Sequence, residues 1–278
     1  MNAFTRFASN RGAIVGLGLL LLLVAVVLLA PLLYPQSPWR MVGRPMGAPL
    51  AGSFLLGTDT LGRDVAAGIV HGARVSLLIG VVSTVVALLI GVPLGAVAGY
   101  FGGLIDDLVM RFTEFFQTIP SFALAIVVVA ILQPTLLSIV LAIAIVSWPP
   151  VTRLIRGEFL SLRSREYVQA AITVGQSTPR IIFTQILPNT LAPIIVMASL
   201  MVATAILLES SLSFLGLGDP NLMTWGYMVG AGRSRIIDAW WISFFPGVAI
   251  FLTVLALNLV GEGINDALNP RLRKEDRK

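Results

Sequence analysis

The chain has 278 residues, of which 56% are apolar and 12% charged, and its net charge is +5. So little charge cannot cover a water-soluble globule, and the composition therefore places the chain in a membrane. With no cysteine and a single histidine, His71, disulfide frameworks, Cys/His metal sites, cysteine nucleophiles and a second-histidine triad are excluded.

A hydrocarbon core of ~30 Å takes about 20 helical residues to cross. Five uncharged stretches meet that length, and the third, of 38 residues, is long enough for two helices. The first span, 13–33, follows Arg6 and Arg11. It is longer than a signal-peptide hydrophobic region and has no small-residue cleavage site, so it reads as a retained helix. After it, residues 34–74 form a loop whose last part, 63–74, reads as an interfacial helix carrying His71 as a surface residue. Asp59 and Asp64 in this loop suit helix caps and docking contacts equally.

The second span, 76–98, carries Gly91, Gly95 and Gly99 at intervals of four. Such a stripe lets another helix approach closely, inside this chain or on a partner, although glycine is also generally common in membrane helices. Asp106, Asp107, Arg111 and Glu114 then read as a local ion-pair set. Gln133-Pro134-Thr135 divides the long stretch into spans 111–132 and 136–152. Pro93, Pro120, Pro149 and Pro150 lie inside spans two to four and kink them.

A 37-residue segment, 153–189, follows and is too long for a structureless connector. Helical spacing runs from Leu160 to Val174 and stops at Gly175. A second short helix starts at Ser177 or Thr178, takes Pro179 in its first turn and ends before Pro188. The fifth span, 191–214, holds Glu209 near its end. An intramembrane carboxylate is a candidate site on the translocation path, or it bonds Ser210, Ser211 or a loop amide at the interface. A loop over 216–243 precedes the sixth span, 244–260, and Trp225, Trp240 and Trp241 fit an aromatic belt there.

Six spans put both termini on one side. The N-terminus, the 2–3 and 4–5 connections and the C-terminus hold thirteen Lys and Arg against six on the opposite loops. The positive-inside rule then places both termini and the 153–189 loop in the cytoplasm. Both lysines, Lys274 and Lys278, lie in the last five residues, so no P-loop Gly-Lys-Ser/Thr exists in the chain. Arginines at the ends of apolar runs, rather than in one basic stripe, argue against nucleic acid.

Gln169-Ala170-Ala171, then Gly175, then Ile186-Leu187-Pro188 resemble the EAA loop of ABC importer permeases. The similarity extends to Leu56-Gly57-Thr58-Asp59, Leu61-Gly62-Arg63-Asp64, Gly72-Ala73-Arg74-Val75-Ser76-Leu77, Ala98-Gly99-Tyr100-Phe101-Gly102-Gly103, Ser211-Leu212-Ser213-Phe214-Leu215-Gly216-Leu217-Gly218 and Asp266-Ala267-Leu268-Asn269-Pro270. Together these motifs are similar to the C-type permease subunit of dipeptide, oligopeptide and nickel importers, over about residues 10–273.

The resemblance implies an all-α membrane protein with six transmembrane helices, the type I ABC importer permease fold and a cytoplasmic coupling helix between spans four and five. Its parts are an N-terminal tail, first helix and external loop at 1–74, a five-helix core at 75–268 with the coupling loop at 153–189, and a basic tail at 269–278. Its implied partners are a homologous second permease, two ATPase subunits, an external substrate-binding protein and membrane lipid. The implied location is the bacterial inner membrane, and the chain itself binds no cofactor or metal, ATP and Mg belonging to the ATPases. The coupling contact would fall on Glu166, Gln169, Ala170, Ala171, Gly175, Leu187 and Pro188. Gln169 stands where the general motif has Glu, leaving Glu166, one turn earlier, as the nearest carboxylate, and Gln185 also departs from the motif. The outer segment 219–224 is shorter than is usual in the family. Peptide cargo is expected, with nickel or another solute as the alternative. An ion-coupled carrier would want more intramembrane carboxylates and inverted repeats than this chain offers.

Overall fold

The structure is a computed structural model that describes residues 3–50 and 52–268, and the basic tail expected at 269–278 lies outside these. The described residues are mainly helical. After a short α1 (Ala3–Ser9), the first long helix is α2 (Arg11–Leu33). Asn10 accepts from the Ala13 N–H at 3.1 Å as N-cap and donates to Asp266 at 3.0 Å, tying the start of the chain to its last helix.

Residues 34–64 fold as an irregular plate around Thr58. Its hydroxyl accepts from Gly47 N–H (2.7 Å) and donates to the Arg44 carbonyl (2.6 Å), while its own carbonyl accepts from Trp241 Nε1 (3.1 Å). The Asp59 carboxylate accepts from the Leu61 and Arg63 N–H groups, both at 2.8 Å, and the Arg63 guanidinium lies 4.7 Å over the Trp39 ring.

α3 (Val65–Phe101) starts from Asp64, whose carboxylate accepts from Ala66 N–H at 2.9 Å, and ends at Gly102, where φ is 68°. At 37 residues it is about 55 Å long. The separate interfacial helix expected at 63–74 is thus the first part of this one rod, because no proline or positive-φ residue lies within 65–92, and Pro93 further along stays inside the helix. His71 sits within it and meets the Tyr34 carbonyl at 2.8 Å.

The third span differs from the continuous helix expected at 111–132. α4 (Gly103–Thr118) and α5 (Ser121–Leu132) meet at a bend of 84°. Pro120 disfavours helical geometry at Ile119, which is extended (φ −87°, ψ 128°), so the proline breaks the span rather than kinking it. Five unbroken helices together with this bent pair give the six expected crossings.

α6 (Leu136–Arg163) opens on a reciprocal cap between Thr135 and Ser138 and carries Pro149 and Pro150 inside. It runs past the expected end at Thr152, and α7 (Glu166–Thr173) is a separate helix rather than the single run expected from Leu160 to Val174. Arg165, extended at φ −72° and ψ 145°, makes the break. α8 (Thr178–Ile181) passes through a π-turn, Ile182–Ile186, into α9 (Leu187–Phe214). The expected stop before Pro188 does not occur. Pro188 falls in the first turn of α9, and the wider π-turn, closed by Leu187 N–H to the Ile182 carbonyl, removes the need for its missing donor. α10 (Trp225–Gly232) forms within the expected loop, and α11 (Trp241–Leu268) closes the bundle.

α3 against α6 is the most extensive helix contact, and α6 is the most enclosed span. The main apolar cluster joins α3, α6 and the α7–α9 segment through Trp148, Val151, Ile155, Phe159, Val168 and Ile181. Of the three tryptophans assigned to an aromatic belt, Trp225 and Trp241 are buried in the bundle, and only Trp240 is exposed. Each buried ring donates its N–H to a backbone carbonyl, at Ile69 and Thr58 respectively, and that pairing is what lets an indole leave the interface.

Candidate functional site at the α7 end of the bundle

α7 lies at the end of the bundle where α6 stops and α8 begins, and its residues divide into two sets. Val168 and Ala171 are buried and pack into the main cluster with Phe159 and Ile181. Glu166, Tyr167, Gln169, Ala170, Ile172 and Thr173 are exposed. The helix is therefore fixed to the spans by one apolar edge while the rest of its surface faces outward. Of the expected coupling residues, Glu166, Gln169, Ala170, Gly175 and Pro188 are exposed, Leu187 is half-buried against the cluster, and Ala171 faces into this chain.

Gln169 closes the corner between α6 and α7. Its side-chain N–H donates to the Arg163 carbonyl at 2.8 Å, satisfying an acceptor left open where α6 ends. A carboxylate has no proton to give there, so the amide performs a task that the general motif's Glu cannot.

Gly175 ends α7. Gln176 N–H donates to the Ala171 carbonyl (3.1 Å) and Gly175 N–H to the Ile172 carbonyl (2.9 Å), the paired bonds of a Schellman cap. Gly175 has φ +80°, and no atom would lie within 4 Å of a Cβ placed on it. The requirement for glycine is conformational, and the space beside it is open.

The charged set on α4 pairs across helices rather than locally. Asp106 forms a two-bond pair with Arg156 of α6, through Nε and through Nη2 at 2.6 Å, while Glu114 lies 3.9 Å from Arg153. The first pair is largely enclosed and fixes the start of α4 on α6. The second is exposed on both sides and contributes little. No residue spacing signals that the partners come from the next span.

The glycine stripe also faces α6. A Cβ on Gly91, Gly95 or Gly99 would lie 2.6 Å from Val151 Cβ, the Thr152 carbonyl or Phe159 Cβ respectively. Every fourth residue of α3 is thus in near contact with α6, and the Thr152 hydroxyl donates to the Gly91 carbonyl at 3.3 Å.

At the opposite end, Glu209 is fully buried within this chain. Oε1 accepts from Ser213 Oγ (2.7 Å) and Thr224 Oγ1 (2.8 Å), and Ser210 Oγ lies 3.4 Å from Oε2. Sequence reasoning placed the carboxylate but missed Thr224, whose signal was a Thr before an apolar turn, the pattern of an N-cap. Among the described residues no group of three or more His, Cys, Asp or Glu is placed to hold a metal.

A chain of helices that crosses a membrane six times and carries a short docked helix between its fourth and fifth crossings defines a membrane permease component. Residues 91–274 match the model of the binding-protein-dependent transport system inner membrane component, and residues 1–44 match the N-terminal transmembrane domain of oligopeptide transport permease C. The chain belongs to this family of multi-pass inner-membrane transport components. It is 44% identical over 274 residues to the di/tripeptide transport system permease protein DppC of Pseudomonas aeruginosa (strain UCBPP-PA14), covering 96% of this chain and 90% of that one. To the oligopeptide transport system permease protein OppC of Bacillus subtilis (strain 168) it is 38% identical over 276 residues, covering 98% and 90%. Among solved structures, a chain of the MetNI methionine ABC transporter superposes with a TM-score of 0.61 at 18% identity, covering 72% of this chain and 96% of that one. The fold is that of the type I ABC importer permease.

Proposed function

We propose that this chain is one of two permease subunits of a peptide importer and that it is driven by ATP hydrolysed on separate subunits. In this reading α7 is the coupling helix, inserted into an ATPase subunit that binds ATP and Mg. A homologous permease completes the path, and an external binding protein delivers di-, tri- or oligopeptides. The observation that carries the reading is the α7 geometry: a short helix held to the spans by Val168 and Ala171, with Glu166, Gln169 and Ala170 turned outward and Gly175 fixing its end. Near-full-length likeness to di/tripeptide and oligopeptide permeases supports the cargo class. The excess of Lys and Arg supports a cytoplasmic placement of the α7 end and of both termini.

The test is purification of the tagged subunit from native membranes in mild detergent, with its companions identified by mass spectrometry and ATP-dependent dipeptide uptake measured after reconstitution. A second permease, ATPases and a binding protein are expected. Gly175→Val should leave the subunit inserted but lower uptake at least about tenfold, since a β-branched residue at positive φ unwinds the cap. Full uptake with that variant, or uptake driven by an ion gradient without ATP, would overturn the coupling assignment.

A further inference from the structure

Residues 209–230 tie together the end of the bundle opposite α7. Thr224 donates to Glu209 of α9 and, as N-cap of α10, accepts from Tyr227 N–H at 2.9 Å. Trp225 bonds α3 twice, its N–H to Ser76 Oγ (3.1 Å) and its ring Nε1 to the Ile69 carbonyl (2.9 Å). Asp219 accepts from Leu136 N–H, at the start of α6, at 3.0 Å. From α11, Ser243 donates to the Val229 carbonyl at 3.1 Å. α10 also approaches α9 without intervening side chains: a Cβ on Gly226 would lie 2.6 Å from Ser210 Cα, and one on Gly230 would lie 2.9 Å from the Ser213 carbonyl. One stretch therefore bonds to α3, α6 and α11 as well as to α9.

The other end is built differently. α3 and α9 are in tight contact at Gly80, where a Cβ would lie 2.9 Å from Ile206. Toward α7 they separate and leave a groove of about 600 Å³, walled by apolar residues that include Leu88, Val92, Phe101, Ile182, Phe183 and Leu191. α9 belongs to a helical run of 37 residues, Thr178–Phe214, that begins beside α7 and ends just past Glu209. This one element connects the α7 end to Glu209.

We propose that Glu209 is a positioning residue that latches α10 to α9, so that the outer ends of α3, α6, α9 and α11 move as one body while the inner ends of α3 and α9 separate. The inference rests on the ATP-driven permease reading and its orientation. The side chain serves as a hydrogen-bond acceptor in a closed site and does not contact the cargo. Among the described residues no cation forms an ion pair with it.

The test compares Glu209→Gln, Glu209→Ala, Thr224→Ser and Thr224→Val in the assembled transporter in proteoliposomes, with dipeptide uptake and ATP hydrolysis measured in parallel. The amide oxygen of Gln can accept both hydroxyls, and Ser keeps the donor. Glu209→Gln and Thr224→Ser should therefore hold the ratio of uptake to ATP hydrolysed within about twofold of the unaltered protein, whereas Glu209→Ala and Thr224→Val should lower it about tenfold with hydrolysis retained. A merely structural role would lower uptake and hydrolysis together with the amount of complex, leaving the ratio unchanged, and that result overturns the latch. So does a Glu209→Gln variant as impaired as Glu209→Ala, which would make the charge itself the functional element. If Glu209→Ala does not assemble, Ser213→Ala removes one donor only. It should lower the ratio about threefold, and an unchanged ratio there overturns the proposal. Failure of the underlying reading is distinct, since the unaltered protein would then show no ATP-dependent uptake.

Discussion

Asp64 serves α3 under two opposed demands. Its carboxylate caps the helix, and burial pushes its pKa above the ordinary carboxylate range against the lowering effect of the Ala66 and Ala67 N–H groups. The folded state thus holds its proton more tightly than the unfolded chain does. The contribution to stability is fully present below the unfolded pKa and is lost as pH rises through the raised folded one. Asn keeps the cap without the charge. Asp64→Asn should therefore match or exceed the unaltered protein in thermal stability at neutral pH and flatten its pH dependence just above the carboxylate range. Asp64→Ala should cost about 1 kcal/mol through the lost cap. Thermal unfolding in detergent across pH reads both. Burial, and then the same Asp64 charge, raises the pKa of the Tyr34 hydroxyl, placing the two groups in one environment between α2 and α3. At this scale the sequence was only partly legible. Asp64 as a cap and Gly175 as a stop follow from local rules, whereas the Gln169 bond to the Arg163 carbonyl depends on a corner that no residue spacing announces.

Among elements, the α3–α6 pair is the most exacting. A side chain on Gly95 would press on the Thr152 carbonyl and the Ile155 side chain, neither of which can retreat, since Thr152 and Ile155 are themselves fully buried. Gly95→Leu should destabilise the subunit by about 3 kcal/mol or more, as overpacking does when backbone is the obstacle. Gly18→Ala in α2 is the control: a Cβ there meets nothing within 4 Å, and helix propensity alone should make the change neutral or slightly stabilising. The yield and melting temperature of the detergent-purified subunit separate the two. Hydropathy placed the five unbroken crossings because each is a long apolar run, but it could not distinguish a proline that kinks from one that breaks. Pro149 and Pro150 stay inside α6, Pro188 is absorbed by the π-turn, and Pro120 ends α4. The outcome depends on what the neighbouring helices supply. α10 escaped notice for a similar reason, as its eight residues are too few to show a period and its stability comes from the Thr224 cap and the contact with α9.

For the whole molecule, the charge count gives an orientation that can be measured directly. The chain lacks cysteine, so a single one introduced at an exposed site is uniquely reactive. Val174, 82% exposed beside α7, and Ile237, 91% exposed beyond α10, mark the two ends. In intact spheroplasts a membrane-impermeant maleimide should label Ile237→Cys and leave Val174→Cys unlabelled until the membrane is opened, and the reverse pattern would invert the topology. α3 carries a further consequence, one for natural variation in the family. Gly72 meets Trp225, Gly80 meets Ile206, and Gly91, Gly95 and Gly99 meet α6, all along one unbroken helix. Inserting or deleting a single residue between Gly72 and Gly91 turns one set of contacts by about 100° relative to the other. No side-chain substitution can undo that rotation. A change in the length of α3 is therefore far harder to absorb than a change in its composition, and differences in length fall more readily on segments outside it.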